Sequence, residues 1–166
     1  MSDLPVAKAG SGSGSGGVAV ELANGSIDSF SGVYRFLSNF WLHPVEMDGV
    51  IYASTEHAYQ AAKTVNPAQR KQFQKAKTPG QAKALGKDVQ LRSGWEGIKV
   101  MIMKNLLREK FKDPELKAKL LATGDRDLIE GNHWKDTYWG VCEGKGLNML
   151  GKLLMEVRKE LSEQSV

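Results

Sequence analysis

The sequence predicts an α+β domain, mostly helical and packed around a small β-sheet. Three observations carry that expectation. An Asp48-Gly49 pair separates two short apolar runs. Several Ser, Thr, Asn or Asp residues stand just before Pro or before an amphipathic stretch. Two long segments place apolar residues at helical spacing.

In chain order, the segment from Gly10 to Gly17 reads GSGSGSGG, a flexible composition with nothing to bury. Residues 1–17 are therefore expected to be a tail and 18–166 one domain, with the fold starting between Val18 and Ile27. Phe36-Leu37-Ser38-Asn39-Phe40-Trp41 reads as an aromatic strand end. Residues 45–52 read as a hairpin turned at Asp48-Gly49, a pair suited to the positive φ angles of a type I′ turn. Ser54 or Thr55 can cap a helix reaching about Val65. Asn66-Pro67 opens another over 67–76, and Thr78-Pro79 with Gln81 resembles a capping box for a third that ends at Gly86. A long helix is expected from Trp95 to Lys112, with Ile98, Met101, Ile102, Asn105 and Leu106 on its inner stripe. Asp113-Pro114 starts another that Gly124 closes, residues 127–130 suggest a short strand, and a last helix spans 148–164 with Leu150, Leu153, Leu154, Val157 and Leu161 inward.

With 166 residues, 41% hydrophobic and 25% charged, the chain has the composition of one globular domain, which excludes collagen, wholesale disorder and a disulfide scaffold. No apolar run approaches the ~20 residues of a membrane span. The start lacks the basic and apolar blocks of a secretory signal, and Cys142 is the single cysteine. An intracellular, cytoplasmic protein is the expectation, without membrane or metal partners and acting as a monomer. The net charge of +4 conceals a net +9 over residues 70–112, either a basic face for an anionic partner or a solvated lysine-rich surface.

Two stretches carry candidate chemistry. On a helix, Glu56, Tyr59, Gln60 and Lys63 share one face, which thus holds a carboxylate, a phenol, an amide and an amine. A solvent-facing amphipathic helix would show the same stripe, and Glu56 in a first turn is favoured by the helix dipole alone. The stretch 132–148 combines Trp134, Asp136, Tyr138 and Trp139 with Gly140, Gly144 and Gly146, and leads into a helix N-terminus at Asn148. Its aromatics suit base stacking and its amides suit an anion; core tryptophans in a glycine-relieved loop are the competing reading. His43, His57 and His133 are scattered and read as structural or surface residues.

FLSNF at 36–40, STEHAYQAAK at 54–63, the helix from Trp95-Glu96 to Phe111 and YWGVCEGKGLNMLGKLLMEVR at 138–158 together resemble the NADAR (YbiA-like) family. The order and spacing run from about 28 to 161, with the Gly/Ser segment outside. The resemblance implies an N-glycosidase that needs no cofactor, most simply one that removes ADP-ribose from ADP-ribosylated guanine in DNA or RNA. A glycosidase of early riboflavin-pathway intermediates and a non-catalytic ADP-ribose reader are the alternatives. It implies catalytic roles for Glu56, Lys63 and Asp136; for the chemistry, Lys63 as a Schiff-base nucleophile and Lys63 as a phosphate or ribose contact beside a water activated by Glu56 or Asp136 both stay open. It implies substrate contacts from Ser38, Asn39, Tyr59, Gln60, Trp95, Trp139, Gly140, Gly146 and Asn148.

Overall fold

The structure, a computed structural model, describes residues 25–164. The Gly/Ser-rich tail and the expected domain start before residue 25 lie outside the described residues. The first element differs from the expected strand end. Gly32, at φ +56°, opens a 3₁₀ helix, Gly32–Leu37, that buries Phe36 and Leu37. Ser38 to Trp41 then turn, and the Trp41 N–H donates to the Ser38 carbonyl.

Strands β1 (Leu42–Met47) and β2 (Val50–Ser54) form the expected antiparallel hairpin. Asp48 and Gly49 both have positive φ, 51° and 79°, as a type I′ turn requires. Val45 pairs with Tyr52, and both side chains are buried. The register slips between Leu42 and Val45, where Pro44 has no N–H to give the ladder.

Helix α1 (Thr55–Ala62) follows the hairpin without a linker, its N-terminus capped by the Ser54 hydroxyl, which accepts from the His57 N–H at 3.1 Å. All eight residues are buried, so it is the central element rather than a surface helix. It stops earlier than the expected Val65. Asn66 must be extended to cap α2 (Pro67–Lys75), because the residue before a proline is disfavoured in the α region. The Arg92 N–H instead takes the freed Lys63 carbonyl at 2.7 Å.

Helix α3 (Pro79–Gly86) is capped by Thr78, while the Gln81 side chain reaches one residue further back than a capping box does, to the Lys77 N–H. Helix α4 (Trp95–Lys110) ends before the expected Lys112, and its inner stripe is rotated from the expected one. Trp95, Met103, Leu106, Leu107 and Lys110 are buried, whereas Met101 is 68% exposed and Asn105 is also exposed. The helix packs against α1, β1 and the C-terminal helix at once, so its buried set answers to three neighbours rather than one. Helix α5 (Pro114–Ala122) is capped by Asp113 and closed by Gly124 at φ +62°.

Residues 127–130 are not the expected strand. Leu128 makes a single parallel bridge to Ile27, and the Glu130 N–H goes to the Asn148 side chain instead of a ladder partner. The pairing comes just after, between β3 (Gly131–Asn132) and β4 (Val141–Cys142), which are parallel. Helix α6 (Met149–Gln164) buries Leu150, Leu153, Leu154 and Val157 as expected, with Leu161 partly buried against the core. The architecture is the expected mostly helical α+β fold. Among the described residues no helix is long and apolar enough to cross a membrane.

Candidate active site

A cavity of about 870 Å³ lies between α1, the turn at 38–40, α3 and the loop 130–139. The sequence brings Glu56, Tyr59, Gln60 and Lys63 to its wall because one helical face carries all four. Ser38, Asn39, Asp136 and Trp139 line it too. Trp95, Gly140, Gly146 and Asn148 do not.

Glu56 is only 7% exposed. Its N–H donates to the Asn39 carbonyl at 3.1 Å, and its Oε1 accepts from Gln60 Nε2 at 2.9 Å. Burial raises its pKa above the usual carboxyl range, against the opposing pull of the Gln60 hydrogen bond and of Lys83 and Lys63. Lys63 is half-buried at the C-cap of α1. Burial lowers its pKa; Glu56 works against that fall, and Lys83 and Lys99 add to it. Burial therefore wins over the neighbouring carboxylate. That is the direction an amine nucleophile needs.

Tyr59 is packed between Trp95 and Trp139, each ring centroid 5.4 Å from its own. Burial pushes its phenol well above the ordinary range, so it stays a neutral hydroxyl at physiological pH. Trp95 is thus a buried brace behind Tyr59 rather than a surface of the cavity.

Asp136 faces the cavity, but its Oδ1 accepts from the N–H groups of Tyr138 and Trp139 at 3.1 and 2.9 Å. These bonds set the turn that presents Trp139. The Asn132 side chain ties the same loop together, accepting from the Asp136 N–H and donating to the Asp136 carbonyl and to Glu130 Oε2.

Glu130 is the carboxyl group that sequence reasoning missed. It lines the cavity from the segment just before β3, and burial raises its pKa to about 7 despite the hydrogen bond from Asn132. Only its place between a bridge and a strand marks it, and no local motif does. Lys83 and Lys87 of the basic block, and Arg35 of the 3₁₀ helix, add positive charge to the lining. Lys110 lies behind the wall, fully buried, and donates to the Ser38 carbonyl at 3.0 Å; burial lowers its pKa to about 7. His57 is structural, its ring bonded between Ser54 Oγ and the Ala76 carbonyl.

The glycines and Asn148 support the wall from behind. Asn148 Oδ1 accepts from the Glu130 N–H and its Nδ2 donates to the Leu128 carbonyl, both at 2.9 Å. A Cβ at Gly140 would collide with the backbone carbonyl and carboxyl group of Glu130, and one at Gly146 with the Gly140 carbonyl. Gly140→Ala is expected to cost about 1–3 kcal/mol of stability from overpacking. Urea unfolding checks this: an unchanged midpoint would show that the loop yields.

A small α+β domain whose ligand-sized cavity holds an amine of lowered pKa and two carboxyl groups of raised pKa is the class these features define. Its family follows from comparison. A NADAR domain model matches residues 27–162, and the chain belongs to that family. The N-glycosidase YbiA of Escherichia coli is 39% identical over 138 residues, spanning 81% of this chain and 86% of that protein. An N-glycosidase of Nostoc punctiforme is 39% identical, spanning 77% and 86%. A riboflavin biosynthesis protein of Vibrio vulnificus is 39% identical over 80% of this chain but only 37% of its own length. The solution structure of Escherichia coli YbiA shares the fold, with a TM-score of 0.76 at 38% identity over 84% of this chain and 85% of that one.

Proposed function

We propose that this protein is an N-glycosidase that hydrolyses the bond between the anomeric carbon of a phosphorylated ribose and a base nitrogen. The observation that carries the reading is Lys63, its pKa lowered by burial, on one helical face with the buried Glu56. The relatives named N-glycosidases support the same chemistry.

In this mechanism the neutral Lys63 amine attacks the anomeric carbon through an oxocarbenium-like transition state. The carbon–nitrogen bond breaks, its electron pair leaves with the base, and the base takes a proton from a cavity carboxyl group. The new secondary ammonium gives up a proton through a cavity carboxylate, its freed electron pair expels the ring oxygen from the same carbon, and the ring oxygen takes that proton, which leaves an iminium between Lys63 and the sugar. Water adds to that carbon, and expulsion of the amine frees the sugar and restores Lys63. Carboxyl groups are the proton carriers here, and both Glu56 and Glu130 hold protons at higher pH than ordinary carboxyl groups.

Glu130, a lining carboxyl group with its pKa raised to about 7, is the acid in this scheme. An acid is active in its protonated form and Lys63 in its neutral one, so Glu130 should add to the kcat/KM profile a descending limb centred at about 7, set against the rise that comes as Lys63 loses its proton. Glu130→Gln should lower turnover by ~10²-fold and remove that limb of the profile. An unchanged limb in the variant would take Glu130 out of the proton pathway.

The substrate proposed is ADP-ribose linked to guanine in DNA or RNA, with Lys83, Lys87 and Arg35 offsetting the diphosphate. The riboflavin-named relative supports a second substrate, a ribosylamine intermediate of that pathway. Mass spectrometry of products from the two substrates, offered separately, decides between them. Free ADP-ribose and an unmodified oligonucleotide are the expected products. Cleavage of the ribosylamine alone would transfer the reading to the second substrate.

A further inference from the structure

We propose that Trp134 and Phe40 form a stacking subsite at the cavity mouth for a second planar base of the substrate, one joined to the reacting ribose through phosphate. The four tryptophans divide sharply. Trp95 is buried, Trp41 packs against the core, and Trp139 meets Tyr59 and Tyr138 edge to face at 5.4 and 4.9 Å. Trp134 alone is 51% exposed, and it lines the cavity. An indole left half in water beside a ligand-sized cavity is where a flat base gains most by stacking.

The second observation is Lys83. Its ammonium lies over the Trp134 ring, 5.7 Å from the centroid, and over the Phe40 ring at 6.0 Å. Two aromatic faces from separate loops therefore turn toward one point, and the group at that point is a cation. A base entering against Trp134 displaces the lysine from the ring, and the phosphate attached to that base gives the ammonium a stronger partner. The subsite takes a nucleoside diphosphate rather than a simple sugar phosphate. It serves the same ribosyl substrate proposed above, and in that respect rests on that reading.

Binding, measured by calorimetry with ADP-ribose and with ribose 5-phosphate, tests it apart from catalysis. The native protein should bind ADP-ribose more than ~10-fold more tightly than ribose 5-phosphate, since it adds a base and a second phosphate. Trp134→Ala should weaken ADP-ribose binding by ~10-fold and leave ribose 5-phosphate within about two-fold, and Trp134→Phe should restore most of the loss. Equal affinity of the native protein for both ligands, or a variant that loses both equally or neither, would overturn the subsite. If the preference depends on Trp134 in a protein that cleaves no N-glycosidic bond, the subsite stands and the glycosidase reading falls.

Discussion

Lys63→Arg should abolish turnover, by ~10³-fold or more, while leaving the fold intact. Arginine keeps the positive charge at the C-cap of α1 but stays protonated and cannot form an imine. The comparison separates two roles for Lys63. A lysine that only neutralises phosphate would be largely replaced by arginine. One that attacks carbon would not. The site favours the second, because burial lowers the pKa of this amine although Glu56 pulls the other way. Near-native turnover in Lys63→Arg would sink the Schiff-base route and leave a water, activated by a carboxylate, as the attacking group.

Glu56→Gln should lower turnover by ~10²-fold or more and leave stability at neutral pH equal or higher. The sign of the stability change follows from the raised pKa of Glu56. Its folded pKa exceeds its unfolded one, so ionising it above the unfolded value weakens the fold, and a neutral amide escapes that loss. The kinetic sign is informative as well. Glu56 holds the Lys63 pKa up, so removing its charge increases the share of neutral amine. A carboxylate with no duty beyond pairing with Lys63 would therefore give a faster enzyme when replaced. Thermal melting and single-turnover rates, taken together, distinguish these outcomes.

Local signals were enough to read the hairpin, the capped helices and the carboxylate–amine face of α1. Asp48-Gly49, Ser54, Asn66-Pro67, Thr78-Pro79 and Asp113-Pro114 act through their own backbone neighbours, and neighbours are visible in a sequence. What was not legible depends on contacts made at a distance. The stripe of α4 is rotated because three elements share that helix, and Lys110 is buried because the Ser38 carbonyl takes its proton donor. Glu130 reaches the cavity because Asn148, in the turn before α6, holds its backbone. The α1 stripe left two readings open until burial closed one, since a polar face looks the same whether water or a cavity lies against it. Trp95 and Gly140, expected to touch substrate, support the wall from behind through Tyr59 and Glu130. They occur in the same motifs as residues that do line it, and a motif does not say which of its members faces inward.

The proposed hydrolysis passes through a covalent bond between Lys63 and the sugar. Borohydride added during turnover of an oligonucleotide ADP-ribosylated on guanine would reduce an iminium to a stable amine. Intact-mass analysis and peptide mapping should then find one ADP-ribosyl adduct on Lys63 and none in Lys63→Arg. Release of ADP-ribose without any adduct, or with an adduct on another lysine, would contradict it.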